Sequence, residues 1–329
     1  HFLQPAETSR GVYNTRLSFY LKLTSDEQPN VVGVGECATL PDLSCDAMPP
    51  NEYERKLRAF CNEYERTGII NYEAMRPYSS MLFGIETAVA QFNAKGSLNF
   101  FGTPFGRGEE GIPINGLIWM GTFNEMFNRM EEKLKAGYHC VKLKIGAIDF
   151  EQELQMIQHI RASFSRNDVE LRVDANGGFT PKEALSRIEA LAQYDIHSIE
   201  QPIKQHQWTE MARLCAETPL PIGLDEELIG VNDKQKKIEL LDTIRPQYIV
   251  LKPSLHGGMA GTKEWIQLAR ARHIGSWITS ALESNVGLNA IAQLTAHIYG
   301  TNIHHAQGLG TGQLFADNVR MHLKVIDDK

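Results

Sequence analysis

No apolar run in the 329-residue chain approaches the length of about 20 residues that a membrane span requires, so a spanning segment is not expected. The first ten residues, HFLQPAETSR, are too polar for the apolar core of a secretory signal. Positive charge is not in excess either: 33 Lys and Arg stand against 40 Asp and Glu, a formal net charge of −7. Nucleic acid and anionic membrane both require a basic surface, so neither is an expected partner and a small molecule is. Cysteines are few. Cys37, Cys45, Cys61, Cys140 and Cys215 are odd in number and lack the Cys-x-x-Cys spacing of zinc and redox sites. A reduced chain in the cytoplasm is the expectation. No Gly-x-Gly-x-x-Gly follows the first β-rich run of the long C-terminal part, which argues against a doubly wound dinucleotide-binding sheet.

What is present is a composition of 42% hydrophobic and 22% charged residues, enough for one large domain and a smaller one. From about residue 112, short β-rich runs alternate with longer amphipathic ones. The runs are 114–119, 140–145, 170–175, 197–201, 221–226, 248–252, 276–280 and 303–308. Between them lie helical patterns such as TPKEALSRIEALAQY, with Thr180 as N-cap and Pro181 at the first helical position. Eight strand-helix units predict an α/β fold, a (β/α)8 TIM-like barrel, over 112–312. The first hundred residues differ. VYNTRLSFYLKLT alternates like a half-exposed strand, VVGVGEC reads as its hairpin partner, and helices are expected over 51–67 and 72–96. This predicts an N-terminal α+β domain over 1–100, a Gly- and Pro-rich linker, and a C-terminal segment, 313–329, that packs back on the N-terminal domain.

In such a barrel the carboxyl ends of the strands converge on one mouth. The second strand brings Lys142 and Lys144, and the third to sixth bring Asp174, Glu200, Asp225 and Lys252. Three carboxylates on consecutive strands repel one another unless a cation lies among them. Oxygen ligands without His or Cys suit Mg²⁺, with Mn²⁺ as a second choice. Each residue also has a plainer reading taken singly: Asp174 as a turn or capping residue, Glu200 paired with a lysine, Asp225 merely solvated. Lys142 and Lys144, two apart, share one face of the strand. A buried ammonium is costly unless paired or functional, and a structural ion-pair network is the alternative to a catalytic role.

The series Lys142-Leu143-Lys144, Val173-Asp174-Ala175-Asn176, Ile199-Glu200-Gln201-Pro202, Leu224-Asp225-Glu226 and Leu251-Lys252-Pro253, with Gly33-Val34-Gly35-Glu36, resembles the muconate-cycloisomerase-like branch of the enolase superfamily. Residues 278–284 and 308–312 are similar to the o-succinylbenzoate synthase family within it. The resemblance implies a capping domain on a barrel, Mg²⁺ on Asp174, Glu200 and Asp225, and a lyase of menaquinone biosynthesis acting on a small carboxylate. It further implies that Lys144 removes a proton next to the carboxylate and returns it to the departing hydroxyl, with Lys142 and the metal lowering its pKa and Lys252 on the opposite face. Ser280, the chain leading into the next helix through Ser284, and the stretch with Gly310 and Thr311 are candidates for a second substrate carboxylate, and Arg10 is a candidate from a covering loop. A plain turn, and for Arg10 a solvated surface, are the competing readings. Rival functions are an N-acylamino-acid racemase or dipeptide epimerase of the same superfamily, and a non-catalytic binding barrel. Dipeptide epimerases of the family carry Asp-x-Asp on the eighth strand, where this chain has His304-His305-Ala306-Gln307.

Overall fold

The computed structural model describes all residues except Gln4, Ser9, Arg10, Trp119, Met120 and Ala147. The chain opens with two short antiparallel strands, β1 (Ala6–Thr8) and β2 (Gly11–Tyr13). A longer antiparallel hairpin follows, β3 (Ser18–Ser25) and β4 (Gln28–Ala38). Then come helices α1 (Pro50–Thr67), α2 (Tyr72–Met75) and α3 (Ser79–Asn93). The stretch expected as one helix over 72–96 is two, because Pro77 has no N–H with which to continue the backbone ladder. Helix α3 lies directly on β4, which explains the glycines of Gly33-Val34-Gly35. A Cβ at Gly33 would stand 2.0 Å from the Ala88 carbonyl oxygen, and one at Gly35 1.9 Å from that of Gly84.

Among the described residues, the rest is a curled parallel sheet of seven strands in chain order, each followed by a helix. In sequence these are β5 (Gly116–Ile118), α4 (Phe123–Lys135), β6 (Cys140–Lys144), α5 (Phe150–Ser163), β7 (Glu170–Asp174), α6 (Pro181–Ala192), β8 (Ser198–Glu200) and α7 (Trp208–Glu217). They continue as β9 (Ile222–Leu224), α8 (Lys234–Ile244), β10 (Tyr248–Leu251), α9 (Gly258–Arg270), β11 (Gly275–Ile278) and α10 (Asn285–Tyr299). Thr180 and Glu183 form a reciprocal capping box on α6, with Pro181 in its first turn.

The eighth segment is not a regular strand among the described residues, but it closes the ring. Gln307 bridges to Ile114 and Gly308 to Thr279, both parallel. The side chain of Gln307 takes part: its amide oxygen accepts from Ile278 N at 2.8 Å and its nitrogen donates to the His305 carbonyl at 2.7 Å. A side chain thus supplies bonds that a longer strand would take from its backbone.

Strand alternation sorts the residues. Val141, Leu143, Leu171, Val173 and Ile199 belong to the main apolar core with Met156, Ile160, Ile188 and Leu191 of the surrounding helices. The other face carries Lys142, Lys144, Arg172, Asp174 and Glu200. Register aligns Lys144 with Asp174 and Asp174 with Glu200. The C-terminal segment touches both parts of the molecule. Phe315 stacks on Phe2 with ring centroids 4.6 Å apart, while Leu323 and Val325 pack on the barrel core and the Asp328 carbonyl accepts from Ile114 N at 2.7 Å.

Candidate active site

Asp174 ends β7, Glu200 ends β8, and Asp225 follows the last residue of β9, so three short parallel strands deliver three acids to one level. All are buried, at 0%, 2% and 0% exposure. The Glu200 carboxyl lies close enough to those of Asp174 and Asp225 for their charges to act on it. Lys142 donates to Asp174 Oδ2 at 3.0 Å and to both Glu200 oxygens, at 3.1 and 3.0 Å. Lys144 donates to Asp174 Oδ2 at 2.5 Å and to Asn176 Oδ1 at 2.8 Å. From the far side Lys252, which follows β10, donates to Asp225 Oδ2.

The charges are unequal in cost. Burial, and then repulsion from Asp174, push the Glu200 carboxyl up to about 8. Burial also raises Asp225, against the opposing pull of Lys252. Burial acts on Asp174 as well, but Lys142 and Lys144 overcome it and hold its carboxyl well below the usual range. Desolvation works against the Lys142 ammonium, and Asp174, Glu200 and Asp225 together outweigh it. Lys252 is likewise held charged, despite burial, by Asp225, Glu226 and Glu200.

Among the described residues, no group of three His, Cys, Asp or Glu side chains is disposed, as it stands, to hold a metal ion. The lysine ammoniums are bonded to the oxygens that would face one. Two observations nevertheless fit a cation at this place. Asp225 Oδ1 is buried with no hydrogen-bond partner, and Glu200 is held where a nearby positive charge would relieve it.

Above the carboxylates opens a pocket whose wall includes Lys142, Lys144 and Lys252. Of the residues expected to hold substrate, Ser280, Gly310 and Thr311 line it, and the Ser280 and Thr311 hydroxyls are bonded to each other. Ser284 is not among the lining residues. Its hydroxyl donates to Glu36 Oε2 at 2.6 Å and caps α10, so the expectation that it meets substrate is replaced by a structural role. Arg10 lies outside the described residues.

Several pocket residues escaped the sequence reading. Asn176, at φ 43°, links Lys144 to Glu226, donating to Glu226 Oε1 at 2.9 Å. Both stand one or two positions after a site acid, a signal that could have found them. Tyr13, Leu40 and Leu43 reach the wall from the N-terminal part. No local pattern marks them. Below the site, His256 accepts from Lys252 N at 2.7 Å, and burial pushes its imidazole down to about 3, so it stays neutral.

The sequence profile described as Enolase C-terminal domain-like matches residues 125–325. The o-succinylbenzoate synthase of Desulfotalea psychrophila is 44% identical, over 98% of this chain and 94% of that protein. The crystal structure of MenC from Desulfotalea psychrophila LSv54 superposes with a TM-score of 0.81, at 42% identity, covering 95% of this chain and 93% of that one. The L-Ala-D/L-Glu epimerase of Bacillus subtilis is 30% identical over 52% of this chain and 46% of its own length. With its site residues at the barrel mouth and this match along nearly its whole length, the chain belongs to the o-succinylbenzoate synthase family of the enolase superfamily.

Proposed function

We propose that this protein is a metal-dependent lyase that removes water from 2-succinyl-6-hydroxy-2,4-cyclohexadiene-1-carboxylate to give o-succinylbenzoate, a step of menaquinone biosynthesis. The observation that carries the reading is the convergence of Lys144 and Lys252, from strands on opposite sides of the ring, over three buried carboxylates. Asp174, Glu200 and Asp225 would hold one Mg²⁺, or Mn²⁺ in its place. Such an ion supplies positive charge beside the substrate carboxylate, where negative charge develops as the proton leaves.

Lys144 takes the proton from the carbon next to the carboxylate and then delivers it to the departing hydroxyl on the same face. The carbon–oxygen bond breaks, its electron pair leaves with the oxygen, and water and an aromatic ring result. Lys142, one step deeper, hydrogen-bonds the carboxylate, and Lys252 places its ammonium over the opposite face of the ring. Ser280, Thr311 and Gly310 hold the succinyl carboxylate. The N-terminal domain (1–100) caps a catalytic barrel (112–312), and the five unpaired cysteines support a cytoplasmic location.

A second reading, N-acylamino-acid racemase or dipeptide epimerase, is favoured by the same pair of lysines. Against dipeptides stands the eighth segment, which offers no acid for a substrate ammonium and whose Gln307 amide is committed to Ile278 and His305. Incubating the purified protein and Mg²⁺ with the cyclohexadiene precursor, and separately with dipeptides and N-succinylamino acids, tests the proposal. Loss of the precursor's diene absorbance supports it; epimerisation with no dehydration overturns it.

A further inference from the structure

The loop between β11 and α10 supplies Ser280, Ala281 and Leu282 to the pocket wall, and its conformation is unusual. Leu282 has φ 64°, in the left-handed region that bulky side chains avoid. Such a conformation persists only where the surroundings over-determine it. Here both polar groups of the neighbouring Ala281 are held. Its N–H donates to Glu283 Oε2 at 2.6 Å, and its carbonyl accepts from Arg16. The Glu283 carboxylate, 1% exposed, also accepts from the Ser254 hydroxyl, two residues beyond Lys252. Arg16 comes from the segment entering β3, and its second nitrogen donates to the Ala38 carbonyl at 2.8 Å, at the end of β4. Neither Arg16 nor Glu283 lines the pocket.

We propose that Arg16 and Glu283 are positioning residues that clamp this loop from both sides, joining the N-terminal domain to the pocket wall and setting how tightly the pocket holds its ligand. The held peptide keeps the Leu282 side chain in an apolar cluster with Phe2, Leu40 and Leu255, of which Leu40 and Leu282 line the pocket. It also fixes the start of the turn where Ser280 meets Thr311. Without the guanidinium, Leu282 relaxes toward negative φ and the wall loosens. The clamp contributes to ligand binding in ground and transition states alike, so it acts on KM rather than on the proton transfer.

The inference rests on the proposed dehydration for its kinetic arm only. Arg16→Ala, Arg16→Lys and Glu283→Gln are compared with the parent by steady-state dehydration, by o-succinylbenzoate binding, and by hydrogen exchange of residues 280–287 in the free protein. In Arg16→Ala, KM and the product Kd rise about tenfold or more while kcat stays within about threefold. Exchange over 280–287 accelerates, and added guanidinium restores part of both. Arg16→Lys, which keeps the charge but lacks the planar fork whose two nitrogens reach the two carbonyls, is intermediate and carries the test if the alanine variant does not fold. Unchanged KM and exchange in a folded variant overturn the clamp, as does a fall in kcat at constant KM. A parent protein that leaves the cyclohexadiene untouched overturns the proposed function instead, and exchange over 280–287 then decides the clamp by itself.

Discussion

Asp174, Glu200 and Asp225 occupy one buried volume without sharing one charge state. Two lysines hold Asp174 ionised, whereas Glu200 is pushed up to about 8. If these three acids hold a divalent ion as proposed, its binding to the folded state alone stabilises the protein by about 2.7 kcal/mol at a hundredfold excess over Kd. We expect Mg²⁺ to raise the melting temperature of the parent and to leave that of Asp174→Asn nearly unchanged, with turnover lost in the variant. Equal shifts in both would remove Asp174 from the metal site. Lys144→Ala should lower dehydration by about 10² to 10⁴, the usual worth of general-base catalysis, while the Mg²⁺-induced shift persists. Where the parent exchanges the substrate's acidic proton with deuterated solvent, Lys144→Ala should also stop that exchange. If Lys252→Ala abolishes that exchange and Lys144→Ala does not, the proton leaves from the other face and the two roles are reversed.

Among the elements, two of the strands that deliver site acids are short: β8 and β9 have three residues each. A three-residue strand between two others suffices to fix register, and the next residue is free to turn into the mouth. Asp225 follows β9 in this way, and Lys252 follows the four-residue β10. Element contact is equally close in the N-terminal domain, where α3 lies against β4 at Gly33 and Gly35. Gly35→Ala places a methyl group against backbone that cannot rotate away, and overpacking of this kind costs about 3 kcal/mol. A lower urea midpoint in this variant, measured by circular dichroism, is the expected outcome. An unchanged midpoint would mean that α3 shifts away from the hairpin at little cost.

Across the whole molecule, the two parts are joined by acids at helix N-termini. Glu36 of β4 accepts from Ser284 N and Gly287 N, both at 2.9 Å, at the start of α10. Glu86 of α3 accepts from Met259 N and from Ala260 N, the latter at 2.9 Å, at the start of α9. The positive end of a helix favours an anion, yet burial dominates at Glu86 and raises its carboxyl to about 8. The folded state therefore keeps a proton that the unfolded chain, with an ordinary pKa near 4.5, has already lost. Stability from this group is full below about pH 4.5 and falls as pH rises toward 8, by about 1.4 kcal/mol per unit at most. Glu86→Gln keeps an acceptor without the charge. We expect its melting temperature relative to the parent to rise between pH 5 and pH 8, and a constant difference across that range would contradict the assignment.

The sequence by itself determined what local periodicity and spacing encode. Alternation assigned Lys142 and Lys144 to one face of their strand, because side chains in a strand alternate whatever the fold. Thr180 and Pro181 marked the start of α6 for equally local reasons. Acids at intervals of one strand-helix unit implied a common mouth, since parallel strands end on the same side. The tertiary structure decided everything that depends on neighbours distant in the chain. Ser284 turned from the pocket to Glu36 because a strand 248 residues away brings its carboxylate to the helix start. The eighth run closes the ring through bridges and a glutamine side chain, since its partners, Ile114 and Ile278, come from the first and seventh units. Tyr13, Leu40 and Leu43 became pocket wall only when the N-terminal domain docked. These contacts follow from register, curvature and domain seating, which are set by the packing of the whole chain and leave no periodic trace in any one stretch of it.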